Sequence, residues 1–239
     1  MPEGAHWEWR GFGRVSSRLR EAFAELPLAF PRGPLWDEIQ DEHISIPGCA
    51  INAKLRSGGS QQGLKLKRFL GRAGTLELWR EEPGEQFPFA LFDHDRLARL
   101  AVLLEVTLPE TLISPMLTPR NVLDLLRLAT PPAEIVGVRK RRQTRGFGEH
   151  ILVEIAEILA VTRDDRGLPV DPSLMSVAVK SRLELGCASR SGIAAARDEL
   201  RTVLEKLGVQ REGLVPRNDL QAITIWPRDP PLVATGVSR

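Results

Sequence analysis

The sequence predicts an α+β protein built on an antiparallel β-barrel or tunnel of about eight strands, with helices at its flanks. Three observations predict it. Short alternating segments recur along the 239 residues, punctuated by 18 prolines and 20 glycines. The helical segments sit apart from one another instead of alternating with strands one by one, which excludes a doubly wound parallel sheet. Several strands carry basic residues on one face and aliphatic residues on the other.

The first strand runs from His6 to Val15, with His6, Glu8 and Arg10 on one face and Trp7 and Trp9 on the other. Ser16 and Ser17 then offer N-caps to a helix, SSRLREAFAEL, which stops at Pro27. A proline-rich connector leads to a strand over DEIQDEHISI (37–46). Pro47-Gly48 turns the chain into INAKLR (51–56), and SGGSQQG (57–63) is a loop. GLKLKRFL (63–70) and TLELWREE (75–82) follow as two strands around a GRAG turn, so this half reads as an antiparallel meander. Residues 93–106 place Leu97, Leu100, Ala101 and Leu104 on one helical face, with Asp93 as cap. A second helix spans 119–129, opened by Pro119 and ended by Pro131-Pro132. Strands resume at EIVGVRKRRQTR (134–145), a GFG turn, HILVEIAEILAV (150–161), a turn at DDRGLP (164–169), and SLMSVAVKSRLEL (173–185). The last helix is GIAAARDELRTVLEKLG (192–208), with Gly208 at the position that favours a left-handed cap. Residues 1–225 are expected to form one domain. The proline-rich 226–239 reads as a flexible tail with the composition of a docking peptide for a protein partner.

Composition excludes several classes. Lys and Arg number 33 against 31 Asp and Glu, a net charge of +2, so no general nucleic-acid or membrane coat is expected. Aromatic residues are 5% and tyrosine is absent, which argues against stacking platforms for single-stranded nucleic acid. At 42% hydrophobic residues the bulk is expected to be ordered. No run of apolar residues is long enough for a membrane helix, and MPEGAHWEWRGFGR lacks the apolar core of a signal peptide. Cys49 and Cys187 lie in unrelated contexts, so reduced thiols in a cytoplasmic protein are expected. His6, His43, His94 and His150 form no zinc-type pair, and neither G-x-G segment has the setting that dinucleotide binding needs.

The chemistry lies in the charge register. INAKLR places Asn52, Lys54 and Arg56 on one face, and GLKLKRF does the same with Lys65 and Lys67. Lys140 and Arg142 share a face opposite Arg139 and Arg141, Lys180 pairs with Arg182, and Arg10 extends the set. A single such strand is commonly a solvated face. Repetition over several strands points instead to a lumen for an anion. Such a lumen would repel itself unless a polyanion, counter-ions or interleaved carboxylates were present. Glu8, Glu77, Glu154 and Glu184 are the strand carboxylates available.

The order H-W-E-W-R (6–10), K-L-R (54–56), L-K-L-K (64–67), E-L-W (77–79), a helix, K-R-R (140–142) and V-E-I-A-E-I (153–158) resembles the CYTH superfamily. That group takes in triphosphate tunnel metalloenzymes, class IV adenylyl cyclases and thiamine triphosphatases. The resemblance covers about 5–225 and rests on strand order and charge register. It implies phosphate-binding roles for Arg10, Lys54, Arg56, Lys65, Lys67, Lys140 and Arg142. It implies Glu8, Glu77 and Glu154 as carboxylates for Mg²⁺ or Mn²⁺, and a phosphate-rich small-molecule anion as partner. Members carry E-x-E-x-K where this chain has His6, Glu8 and Arg10, and Lys180 stands where an acid would suit. Glu154 and Glu157 are three apart, so a regular strand sends only one of them inward. The implied function is binding of an organic triphosphate or polyphosphate, with metal-dependent hydrolysis as its active form. The alternative is a tunnel-fold protein that has lost catalysis and acts as an interaction partner.

Overall fold

A computed structural model describes residues 5–30, 34–58, 63–81, 93–109, 117–163, 166–168, 170–181 and 190–216. The expected tail at 226–239, and Cys187, Arg182 and Glu184, lie outside the described residues.

The strands are β1 (Ala5–Gly13), β2 (Asp37–Ser45), β3 (Ile51–Ser57), β4 (Gly63–Ala73), β5 (Leu76–Glu81), β6 (Glu134–Phe147), β7 (Ile151–Arg163), β8 (Arg166–Leu168), β9 (Met175–Ser181) and β10 (Val215–Pro216). The helices are α1 (Ser17–Ala24), α2 (His94–Leu104), α3 (Pro119–Arg127) and α4 (Arg190–Lys206). Strands pair in the order β1-β5-β4-β3-β2-β6-β7, and β9 pairs with both β7 and β1. This closes a ring of eight antiparallel strands, the barrel that the charge register and the CYTH resemblance both imply.

Three expected boundaries shift. The GFG segment is not wholly a turn, because β6 runs on through Gly146 and Phe147 and the reversal falls at Gly148–His150. Gly148 has φ +60°, the left-handed region that glycine enters without penalty. The GRAG turn likewise shortens, since β4 continues to Ala73. The 164–169 turn contains β8, which folds back on β7.

Helix starts follow capping chemistry. Ser16 Oγ accepts from Leu19 N, and Asp93 accepts from Arg96 N. Thr118 and Asn121 form a reciprocal capping box that spans Pro119.

Two helical layers cover two arcs of the outer wall. Helices α1 and α4 pack Leu19, Phe23, Leu200 and Leu204 against Trp7, Trp9, Val153, Ile155, Val177 and Val179. The Trp7 indole also donates to the Ile193 carbonyl at 2.8 Å. Helices α2 and α3 pack Leu100, Leu104, Val122 and Leu126 against Ile44, Ala53, Leu55, Leu64 and Ile135. With the outward side chains of these strands committed to helices, alternation turns their partners into the barrel. Phe12, Val136, Val138, Ile158 and Val161 pack together with Leu174 and form an apolar stretch of the interior. Elsewhere the interior carries charged side chains, with Ile39, Trp79 and Ala178 interspersed.

Candidate functional site: a charged barrel interior

Strand register places His6, Glu8 and Arg10 on the inward face of β1. Trp7 and Trp9, the intervening residues, lie in the helix-covered core. The same alternation sends Lys54 and Arg56 inward from β3, Lys65 and Lys67 from β4, Lys140 and Arg142 from β6, Glu154 from β7 and Lys180 from β9. Contacts that skip an intervening strand confirm that these side chains share one interior. Lys67 Nζ on β4 reaches Glu8 on β1 at 3.0 Å, past β5. Arg10 on β1 reaches Glu154 on β7 at 3.5 Å, past β9. The small side chain of Ala178, in register with both Arg10 and Glu154, leaves room for that reach.

Three carboxylates organise the interior. Asp41 is fully buried on β2. Its two oxygens accept from Arg56 Nε at 2.6 Å and Arg56 Nη2 at 2.8 Å, a bidentate pair. Lys54 Nζ lies 3.3 Å and Lys140 Nζ 3.6 Å from the same carboxylate. Glu8 accepts from Arg10 Nη2 at 2.9 Å and from Lys67, with His6 Nε2 3.6 Å away. Glu154 is approached by Arg142 at 3.3 Å, Arg10 at 3.5 Å and Lys180 at 3.9 Å. Arg142 also donates to Asp37 at 2.9 Å.

Burial alone would push each of these carboxyls up. The cations overcome it: Lys67 and Arg10 hold Glu8 well below the ordinary carboxylate range, Lys54 and Arg56 hold Asp41 there, and Lys180 and Arg142 hold Glu154 there. The lysines divide. Lys67 loses by burial but is raised overall by Glu8 and Glu81. Lys65 is lowered, first by burial and then by Arg56. Lys180 is lowered by burial, and Lys67 adds to that against the opposing pull of Glu154. His6 is lowered by burial and by Lys67, so it stays neutral near pH 7. Burial is the leading cause at Lys65 and Lys180 alike.

Every residue expected on the phosphate-binding face is brought to the interior. All three expected metal carboxylates, Glu8, Glu77 and Glu154, are buried on the inward strand faces. Glu77 stands in register with Glu8, but Arg72 at 2.5 Å and the Trp79 indole at 3.2 Å engage it. Glu157, on the other face of the wall, pairs with Arg141 at 2.6 Å. Among the described residues no three His, Cys, Asp or Glu side chains gather in a group that could hold a metal ion. A hard divalent cation needs several oxygen ligands, and here guanidinium and ammonium groups hold those oxygens. The donor set does not fit Mg²⁺ or Mn²⁺.

Asp41, the most buried charge of the site, is missed by sequence reasoning. Its strand reads polar on both faces, Asp37, Asp41 and His43 against Glu38, Gln40 and Glu42, so alternation does not say which face turns inward. The available signal was Ile44, an aliphatic residue in the second series, which packs under α2 and α3 and so marks that series as outward.

No protein-family model matches the chain, and no curated protein matches it. Among solved structures, the PH1012 protein of Pyrococcus horikoshii OT3 aligns at TM-score 0.48 and 12% identity, over 90% of this chain and 99% of that one. The PH1819 protein of the same organism aligns at TM-score 0.42 and 12% identity, over 85% and 90%. A putative adenylyl cyclase of Hippeastrum, HpAC1, described as having a dominant triphosphatase activity, aligns at TM-score 0.39 and 11% identity, over 85% and 88%. Similarity at this level carries no inference about activity.

Proposed function

We propose that the barrel interior binds a compact, phosphate-rich anion, an organic triphosphate or inorganic polyphosphate. The observation that supports this reading is the convergence of Arg10, Lys54, Arg56, Lys65, Lys67, Lys140, Arg142 and Lys180 on one interior, around the buried carboxylates Glu8, Asp41 and Glu154. Cations held this close together destabilise the empty barrel, and a multivalent anion offsets that cost by charge-assisted hydrogen bonds. Bidentate guanidinium groups suit phosphate oxygens, and Lys54, Lys67 and Lys180 supply mobile point charges at less buried positions. Binding is the proposed activity. No hydrolytic step is derived, because a metal-bound water would need oxygens that the cations occupy.

The test is thermal unfolding with inorganic tripolyphosphate, read together with calorimetric binding. A ligand that binds only the native state adds about 2.7 kcal/mol at a hundred times its Kd. The expected result is a rise in Tm that is lost in the double variant Lys65→Ser, Lys67→Ser. Phosphate release measured in the same samples would place hydrolysis on top of binding. An unchanged Tm across tripolyphosphate and nucleoside triphosphates would overturn the proposal. The salt-bridged interior would then be a structural core, and the protein would act as a partner through its outer surface.

A further inference from the structure

We propose that Arg10 is a built-in cation standing between Glu8 and Glu154, so that the interior takes its phosphate anion without a divalent metal. This rests on the phosphate-binding reading of the same site. Glu8 on β1 and Glu154 on β7 are the two buried interior carboxylates that could have shared an ion across β9. Arg10 fills that role: Nε and Nη2 bind Glu8 Oε1 at 3.2 and 2.9 Å, while Nη1 lies 3.5 Å from Glu154 Oε1. The second oxygen of each carboxylate is also committed. Glu8 Oε2 accepts from Lys67 at 3.0 Å, and Glu154 Oε2 accepts from Arg142 at 3.3 Å. A metal entering here would have to displace covalently tethered guanidinium and ammonium groups from both carboxylates, at a site where each is buried. A guanidinium does not need to shed a tightly held water shell, and it stays charged at any working pH. Its charge is already in place when the anion arrives. Mg²⁺ in solution then acts only on the ligand, by chelating its phosphate oxygens and lowering the free anion concentration.

Two measurements test this on the intact chain. The first is Mn²⁺ titration of the unliganded protein, followed by electron paramagnetic resonance. Wild type should leave Mn²⁺ free, whereas Arg10→Ala should acquire a bound Mn²⁺ that a further Glu154→Gln change removes. The second is tripolyphosphate binding in EDTA and in Mg²⁺, where the affinity in EDTA should equal or exceed that in Mg²⁺. One Mn²⁺ bound by wild type and lost in Glu8→Gln would overturn the proposal, and so would tripolyphosphate binding only when Mg²⁺ is present. The wild-type measurements decide the question even if Arg10→Ala fails to fold. Absence of tripolyphosphate binding in both media would end metal-free anion capture together with the phosphate reading. The Mn²⁺ titration would still decide, by itself, whether Arg10 holds the place of an ion.

Discussion

Arg141 and Arg142 are consecutive on β6, and the barrel wall separates them. Arg142 is buried inside, between Asp37 and Glu154. Arg141 lies outside, 46% exposed, paired with Glu157 and stacked over the Trp36 ring at 4.9 Å. The two side chains have the same chemistry, and each is paired with acid: Arg142 with two carboxylates, Arg141 with one. What differs is the solvent. Outside, water screens the pair and can replace either partner. Inside, each charge has lost its hydration, and its partners decide whether the fold tolerates it. The inner and outer faces of one strand thus carry similar letters with very different consequences.

The largest effect should come from Asp41→Ala. It removes the carboxylate that Arg56, Lys54 and Lys140 share, and breaking a buried pair in this way costs about 3–5 kcal/mol. Urea denaturation should show that loss, and tripolyphosphate should recover part of it by supplying replacement negative charge. A loss below about 1 kcal/mol, the scale of a surface pair, would mean that the interior is as wet as the outer wall.

Acid should act next, and selectively on the interior. Glu8, Asp41 and Glu154 have folded-state values depressed below their unfolded ones. Their contribution is fully present above the ordinary carboxylate range, about pH 4–5, and is lost as pH falls through the folded values. His6 adds to the same trend, because its folded value is also depressed and the unfolded chain takes up its proton first. Stability measured by denaturant at a series of pH values should therefore fall steadily below about pH 6 and steepen in the carboxylate range. A flat profile down to about pH 3 would show that the interior carboxylates are not held by their cations.

The smallest effect should come from Arg141→Ala, within about 1 kcal/mol of wild type, with tripolyphosphate binding unchanged. If Arg141→Ala weakened the anion as much as Arg142→Ala, the two faces would have been assigned the wrong way round.

Much of the fold was legible. The alternation of Trp7 and Trp9 with His6, Glu8 and Arg10 announced a wall with one apolar and one charged side, and Leu64 with Lys65 announced another. Asp93 and Gly208 marked helix ends where the chain puts them. Which cations share a face followed from the same period. β8 was not legible, because three residues inside a turn-rich segment carry no pattern of their own. Neither was Asp41, whose strand is polar on both sides.

By itself the sequence determined which residues share a face, since the period of a strand is set by local backbone geometry. Only the tertiary structure decided which face is the inside. That depends on β9 returning to pair with β1 and on helices covering the aliphatic side, events that join residues more than a hundred positions apart. It also decided the state of the carboxylates. Whether Glu8 and Glu154 face an open ligand position or a guanidinium depends on the span across β9 and on the small Ala178 between them, neither of which spacing along one strand encodes.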